Sequence, residues 1–287
     1  MPAPALRIRL ALPGRRVEVA RPAPTGPVRL DELLPFMYAV DDAAIGVAVG
    51  QARKQGATVS CAKGCSACCR RQPVPVTLAE AHGLARRVQA LPAPRRARVE
   101  QRFADAAEQL RAAGLLDTFM RDTPVDDPAQ ARAAATAYMA LGLVCPFLED
   151  DACSIHAQRP FVCRQYLVSS PPSLCADPLQ QPVAVLDIPV RPASAMLAVT
   201  PPAGGRPAFT VPLVLALAYA ARHADTQRRC APDAGAVDGR AAAYMNRRYG
   251  VRFTAPRAAT AGPAARAGHA VHRRRCGRRR PRPPARR

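Results

Sequence analysis

Apolar and charged residues alternate along residues 5–20 (ALRIRLALPGRRVEVA), on either side of Pro-Gly-Arg-Arg. That period of two predicts a two-strand hairpin with a polar turn. A proline-rich connector, Arg21 to Pro27, follows it. Residues 30–55 read as a helix, with Asp31 as candidate cap, a break near Pro35 and a stop at Gly56. Thr77-Leu-Ala-Glu80 forms a capping box, in which each side chain satisfies an orphan N–H at a helix start. The helix it opens should run to about Leu91. A second is predicted from near Pro94 to Gly114, with Arg98, Arg102, Glu108 and Arg111 on solvated positions. A third runs from Asp127 to Leu141 and stops at Gly142. Further on, the pattern predicts a strand over Val183–Val190, an apolar helix over Thr210–His223 and a short helix over Arg240–Tyr249. No internal repeat is visible.

Cysteine spacing changes this picture most. Eight of the ten cysteines form two groups: Cys61, Cys65, Cys68 and Cys69, then Cys145, Cys153, Cys163 and Cys175. Core cysteines scatter with the hydrophobic pattern, so such density calls for disulfides, a metal or cluster, or thiol redox chemistry. The N-terminus lacks the pattern of a secretory signal. The longest apolar stretch, Val211 to Ala221, is short of the roughly 20 residues that a bilayer requires. The expectation is a cytoplasmic protein with no membrane span, where clustered thiols stay reduced and bind metal. A disulfide between the neighbours Cys68 and Cys69 is also disfavoured, because adjacent Cα atoms lie closer than that bond prefers.

The acidic turn Glu149-Asp150-Asp151 lies between Cys145 and Cys153, so a short hairpin should carry both thiols. Arg159-Pro160 then opens a helix with Cys163 in its first turn, where the positive end of the dipole is expected to lower a thiol's pKa. Zinc and iron–sulfur centres each take about four thiolates, so eight allow two centres, or one with thiols to spare. Adjacent side chains do not easily chelate one tetrahedral ion. Cys68 and Cys69 should therefore face different centres, unless one of them is not a ligand. Lys63, Arg70, Arg71, Arg159 and Arg164 stand beside the ligands in sequence and could offset the thiolate charge. Cys230 and Cys276 are isolated and read as ordinary residues.

Composition adds less. The net charge is +21, yet eleven arginines and no acidic residue lie in 255–287, and Lys54 and Lys63 are the only lysines. That tail has no hydrophobic period and is expected to be disordered. It offers a basic arm for nucleic acid, although few aromatics accompany the arginines. No motif for phosphate cradling or for a nucleophilic triad occurs. The five histidines share no ligand spacing.

The combined pattern C-x3-C-x2-C-C, C-P-F-L, C-S-I-H, R-P and C-R resembles the YkgJ-type cysteine-cluster family, described as zinc- or iron-chelating. A similar pattern occurs in the flagellin lysine methylase FliB. The resemblance covers roughly Ser60 to Cys175. It implies that Cys61, Cys65, Cys68, Cys69, Cys145, Cys153 and Cys163 chelate, with Cys175 as a further candidate. His156 stands where the family often has tyrosine, as a hydrogen-bonding substitute or an extra ligand. Cys61-x3-Cys65-x2-Cys68 also matches the spacing of radical-SAM enzymes, but Ala67 and the helical run that follows differ from that pattern.

The fold expected is mainly α (α+β), a helical domain around an irregular cysteine-rich metal centre with a small N-terminal β-hairpin. Its divisions are 1–29 (hairpin and connector), 30–254 (metal-binding domain, with a helical insert at about 77–142) and 255–287 (tail). The function expected is metal binding, with an iron–sulfur cluster preferred over zinc because of Cys-Pro at Cys145 and the surplus of thiols. Whether that centre is redox-active stays open, and two alternatives stand beside it: an enzyme of radical-SAM-like or methyltransferase-related type, and a zinc-stabilised nucleic-acid-binding protein that uses its basic tail. The sequence does not name a protein partner.

Overall fold

Strands β1 (Ala5–Leu12) and β2 (Arg15–Pro22) form the expected antiparallel hairpin, in the register Ile8↔Val19 and Leu10↔Val17. The alternation places Ile8, Leu10, Leu12 and Val19 in the core. The computed structural model describes residues 5–12, 14–22, 29–121, 127–200, 209–225, 244, 247–248 and 252–253. The tail 255–287, Cys230, Cys276 and most of the predicted last helix lie outside these residues. A two-residue strand, β7 (Arg252–Phe253), pairs with β1 on the side opposite β2.

The hairpin covers α1 (Leu34–Lys54), which is entered through a 3-10 turn at Leu30–Leu33. Pro35 sits in the first turn of α1, where its missing N–H costs nothing, so it opens the helix instead of breaking it. Nor does Asp31 cap the turn. The Arg29 N–H donates to Glu32 Oε2 at 2.8 Å, while Asp31 is buried and ion-paired with Arg86. Taken together, Leu30–Lys54 is long and apolar enough to cross a bilayer, which the search for uninterrupted apolar runs passed over. Half of its most apolar window is buried within the protein, and its inner face belongs to the core formed with the hairpin and α7 (Pro192–Val199).

The predicted insert is helical as read. α2 (Leu78–Gln89) starts at the Thr77 capping box, and α3 spans Ala93–Ala112. α5 (Pro128–Ala140) is capped by Asp127, whose side chain accepts from the Ala129 N–H at 2.9 Å. Gly142 adopts φ +60° where that helix ends, a conformation that glycine takes without penalty. A short α4 (Leu116–Met120), unread in the sequence, fills the turn after α3. Val99 and Phe103 of α3 join α2 and α8 (Ala216–Arg222) in a second core, and Leu110 joins Tyr138 and Met139 of α5 in a third.

Two later expectations fail for one reason, proline. Val183–Val190 is not a strand: Pro182 precedes it, Pro189 interrupts it, and Val185 alone of its residues forms a bridge, to Val168. Thr210–His223 is α-helical only from Ala216, after a 3-10 turn at Leu213–Leu215. Before that, β6 (Val211–Pro212) pairs with β3 (Pro75–Val76), and the Leu213 N–H donates to Val74 O at 2.7 Å.

Asp41 on α1 is fully buried and receives the Gln165 side-chain N–H at 2.6 Å, while its second oxygen has no partner. Burial pushes its carboxyl from the usual 3.8 up to about 7, so the folded chain holds a proton that the unfolded chain has released. The contribution of Asp41 to stability therefore falls as pH rises from about 4 to about 7. Asp41→Asn keeps an acceptor for Gln165 and removes the titration. In urea unfolding at about pH 5 and about pH 8, the variant should show a smaller loss of stability at the higher pH than the parent.

Candidate metal centre

The first cysteine segment is an irregular loop because its backbone bonds are spent locally and on the second segment. The Cys65 N–H donates to Ala62 O at 3.0 Å, closing a turn at Lys63-Gly64, and Gly64 takes φ +93°. A 3-10 turn at Cys68–Arg70 follows. Three bonds then tie the loop to distant chain: Ser60 N–H to Val168 O at 2.8 Å, Cys145 N–H to Cys69 O at 2.7 Å, and Gln72 Nε2 to Cys175 O at 2.7 Å. Cys61 Sγ lies 3.8 Å from Tyr166 O and accepts the Val168 N–H at 3.4 Å.

The second segment comes to meet it. Strands β4 (Leu148–Glu149) and β5 (Ala152–Cys153) form a hairpin whose turn residues, Asp150 and Asp151, have φ 48° and 56°. Two successive left-handed residues mark the tight turn that suits strand twist, and aspartate tolerates that conformation. Cys153 lies in β5, but Cys145 sits in the turn before β4, where its carbonyl accepts the Leu148 N–H at 2.9 Å. The acidic tip is not merely solvated. Asp151 pairs with Arg70 of the first cysteine loop and accepts from Ser66 Oγ at 3.3 Å. Glu149 binds Arg95 Nη2 of α3 at 3.0 Å.

Cys163 lies in α6 (Phe161–Gln165), a five-residue helix fixed on several sides. The Phe161 N–H donates to Glu80 Oε1 at 2.7 Å. Arg164 donates to Asp42 Oδ1 at 2.6 Å and stacks 4.5 Å above the Tyr38 ring, and Gln165 holds Asp41.

One cavity of about 100 Å³ results, and Cys65, Cys68, Cys69, Cys145, Cys153 and Cys163 line it together with His156 and Arg159. Cys61 and Cys175 do not line it, although both are within electrostatic reach of Cys65 and Cys68. The eight clustered cysteines are all free thiols. Cys68 and Cys69 both line this one cavity, with their side chains close enough to interact. Among the described residues, no three His, Cys, Asp or Glu side chains converge closely enough to hold one metal ion as they stand. The donor type nonetheless suits a soft metal, and six thiols share one enclosure.

Burial dominates the electrostatics. It pushes the Cys145 thiol up to about 12 and the Cys163 thiol well above its usual value, and neighbouring thiols add to both. The expectation that the start of α6 would lower Cys163 is therefore overturned, because a five-residue helix has little dipole to set against desolvation and the neighbouring thiols. Cys68 is raised first by its bond to Cys69 and then by burial. Arg159 is the cation that favours the charged form of Cys61, Cys68, Cys153 and Cys163 alike. Its Nε is spent on His156 O at 3.2 Å.

Sequence reading found the cysteines and missed their supports. Glu80 was visible only as a helix cap, and Asp151 only as part of a turn. Their long-range roles leave no local signal.

Residues 60–180 match the family model named CxxCxxCC, described as a "Putative zinc- or iron-chelating domain", the same domain as that of the YkgJ-type family. The match spans less than half of the chain. No curated protein and no solved structure gives a significant match to it.

With metal removed at about pH 8, Cys145 and Cys163 should alkylate more slowly than Cys61, because only the thiolate reacts and burial raises both thiols further. Mass spectrometry of a timed iodoacetamide reaction reads the order. Labelling of either ahead of Cys61 would contradict the burial argument.

Proposed function

We propose that residues 60–180, a CxxCxxCC domain of the YkgJ type, bind a metal centre through the thiolates of Cys65, Cys68, Cys69, Cys145, Cys153 and Cys163, with Cys61 and Cys175 next to that set. The observation that carries this reading is the convergence of six thiols, from two segments separated by the helical insert, on one cavity. Hydrophobic packing alone would not gather them there.

An iron–sulfur cluster suits the arrangement better than a single zinc ion. A tetrahedral zinc site draws four sulfurs to about 2.3 Å from one point. Here the thiols surround a space of about 100 Å³ and no three meet at a point. A polynuclear centre fills such a space, and the adjacent Cys68 and Cys69 can then serve different metal atoms of it. A cytoplasmic setting, which keeps thiols reduced, agrees with this reading. A radical-SAM role has less support: every strand pair among the described residues is antiparallel, and no parallel βα barrel occurs among them.

Oxygen-free purification followed by iron, zinc and acid-labile sulfide analysis tests the proposal. The expected result is iron and sulfide with visible absorption, and a marked loss of both in Cys65→Ser and Cys163→Ser. A colourless protein with stoichiometric zinc would end the cluster reading. A chain that takes up neither metal would end thiolate chelation altogether.

A further inference from the structure

Glu80 is among the largest fully buried side chains, and it is ionisable. Burying a carboxylate is costly unless donors surround it. Three donors do. Oε2 accepts the Thr77 N–H and the Thr77 hydroxyl, both at 2.8 Å, which completes the capping box of α2. A capping box requires no more than that. Oε1 goes elsewhere, to the Phe161 N–H at 2.7 Å, 81 residues away, at the first residue of α6. One carboxylate thus bonds the helix that follows the first cysteine loop to the helix that carries Cys163.

We propose that Glu80 is a positioning residue for the metal centre: its carboxylate sets Cys163 against the Cys61–Cys69 loop. This inference rests on the metal-binding reading above. The bond joins a side chain to a backbone amide and uses no thiol, so it holds α6 whether or not metal is present. Phe161 is itself fully buried, and Arg164 and Gln165 are anchored on α1, so α6 is fixed by its side chains as well as at its start. Glutamine cannot replace Glu80. Its one carbonyl oxygen can serve Thr77 or Phe161, and its amide would face a second N–H. Outer residues that orient ligands typically cost 10–100-fold in metal affinity when changed.

The test uses the full chain, Co²⁺ as probe and Zn²⁺ as competitor, read by thiolate-to-cobalt absorption, together with hydrogen exchange of the metal-free protein. Glu80→Gln should speed exchange at the Phe161 amide by about tenfold or more and weaken Co²⁺ binding by roughly 10–100-fold. Thr77→Ala removes a cap donor but leaves the Phe161 bond, so it should loosen α2 while keeping Co²⁺ affinity close to that of the parent. If Glu80→Gln does not fold, Glu80→Asp, which keeps the charge on an arm too short to span both partners, is read by the same criteria. Wild-type affinity in the folded Glu80 variant, or an equal loss of affinity in Thr77→Ala, would overturn the inference while leaving metal binding intact. A parent chain that binds no Co²⁺ would overturn the metal-binding reading, and this inference with it.

Discussion

The structure depends on closing one long loop. Cys69 and Cys145 are joined by a backbone hydrogen bond of 2.7 Å, and everything between them must leave and return to that point. Closing a flexible loop of that length has an entropic cost that grows only slowly with length. The insert meets it by not being flexible: α2, α3 and α5 bury Val88, Phe103, Leu110 and Tyr138 against neighbours, so the return path is a packed helical layer. Once the ends are joined, the rest of the centre follows. The β4–β5 hairpin places Cys153 opposite the first loop, and Arg70 with Asp151 fastens its tip.

What could be read from the chain divides by the range of the interaction. The hairpin, the Thr77 and Asp127 caps and the glycine stops are local, and each appears within a residue or two of where it was expected. The family pattern is also local in kind, since it consists of spacings. Reading failed where a distant partner decided the matter. Pro212 and the Val74 carbonyl turned the start of a predicted helix into a strand and a 3-10 turn. Asp31 has the composition of a cap, yet Arg86 from α2 draws it into an ion pair. At the site, the ligand types were legible and the geometry was not, because whether Cys68 and Cys69 face one cavity or two depends on what packs opposite them.

Charge decides what such a cavity can do. The chain is strongly basic, and five cations near the cysteines in sequence seemed available to neutralise thiolates. Most are committed elsewhere: Arg164 to Asp42, Arg70 to Asp151, and Arg71 to the Met139 carbonyl at 3.4 Å. Of these five, Arg159 alone lines the cavity. One guanidinium cannot balance six thiolates, and burial at Cys145 and Cys163, with the Cys69 contact at Cys68, already disfavours the charged form there. Cys68, Cys145, Cys153 and Cys163 are thereby held toward the protonated form, and a bound metal, as the largest local charge, would reverse that balance. The donor set suits a soft cation, while burial disfavours free thiolate at Cys145 and Cys163.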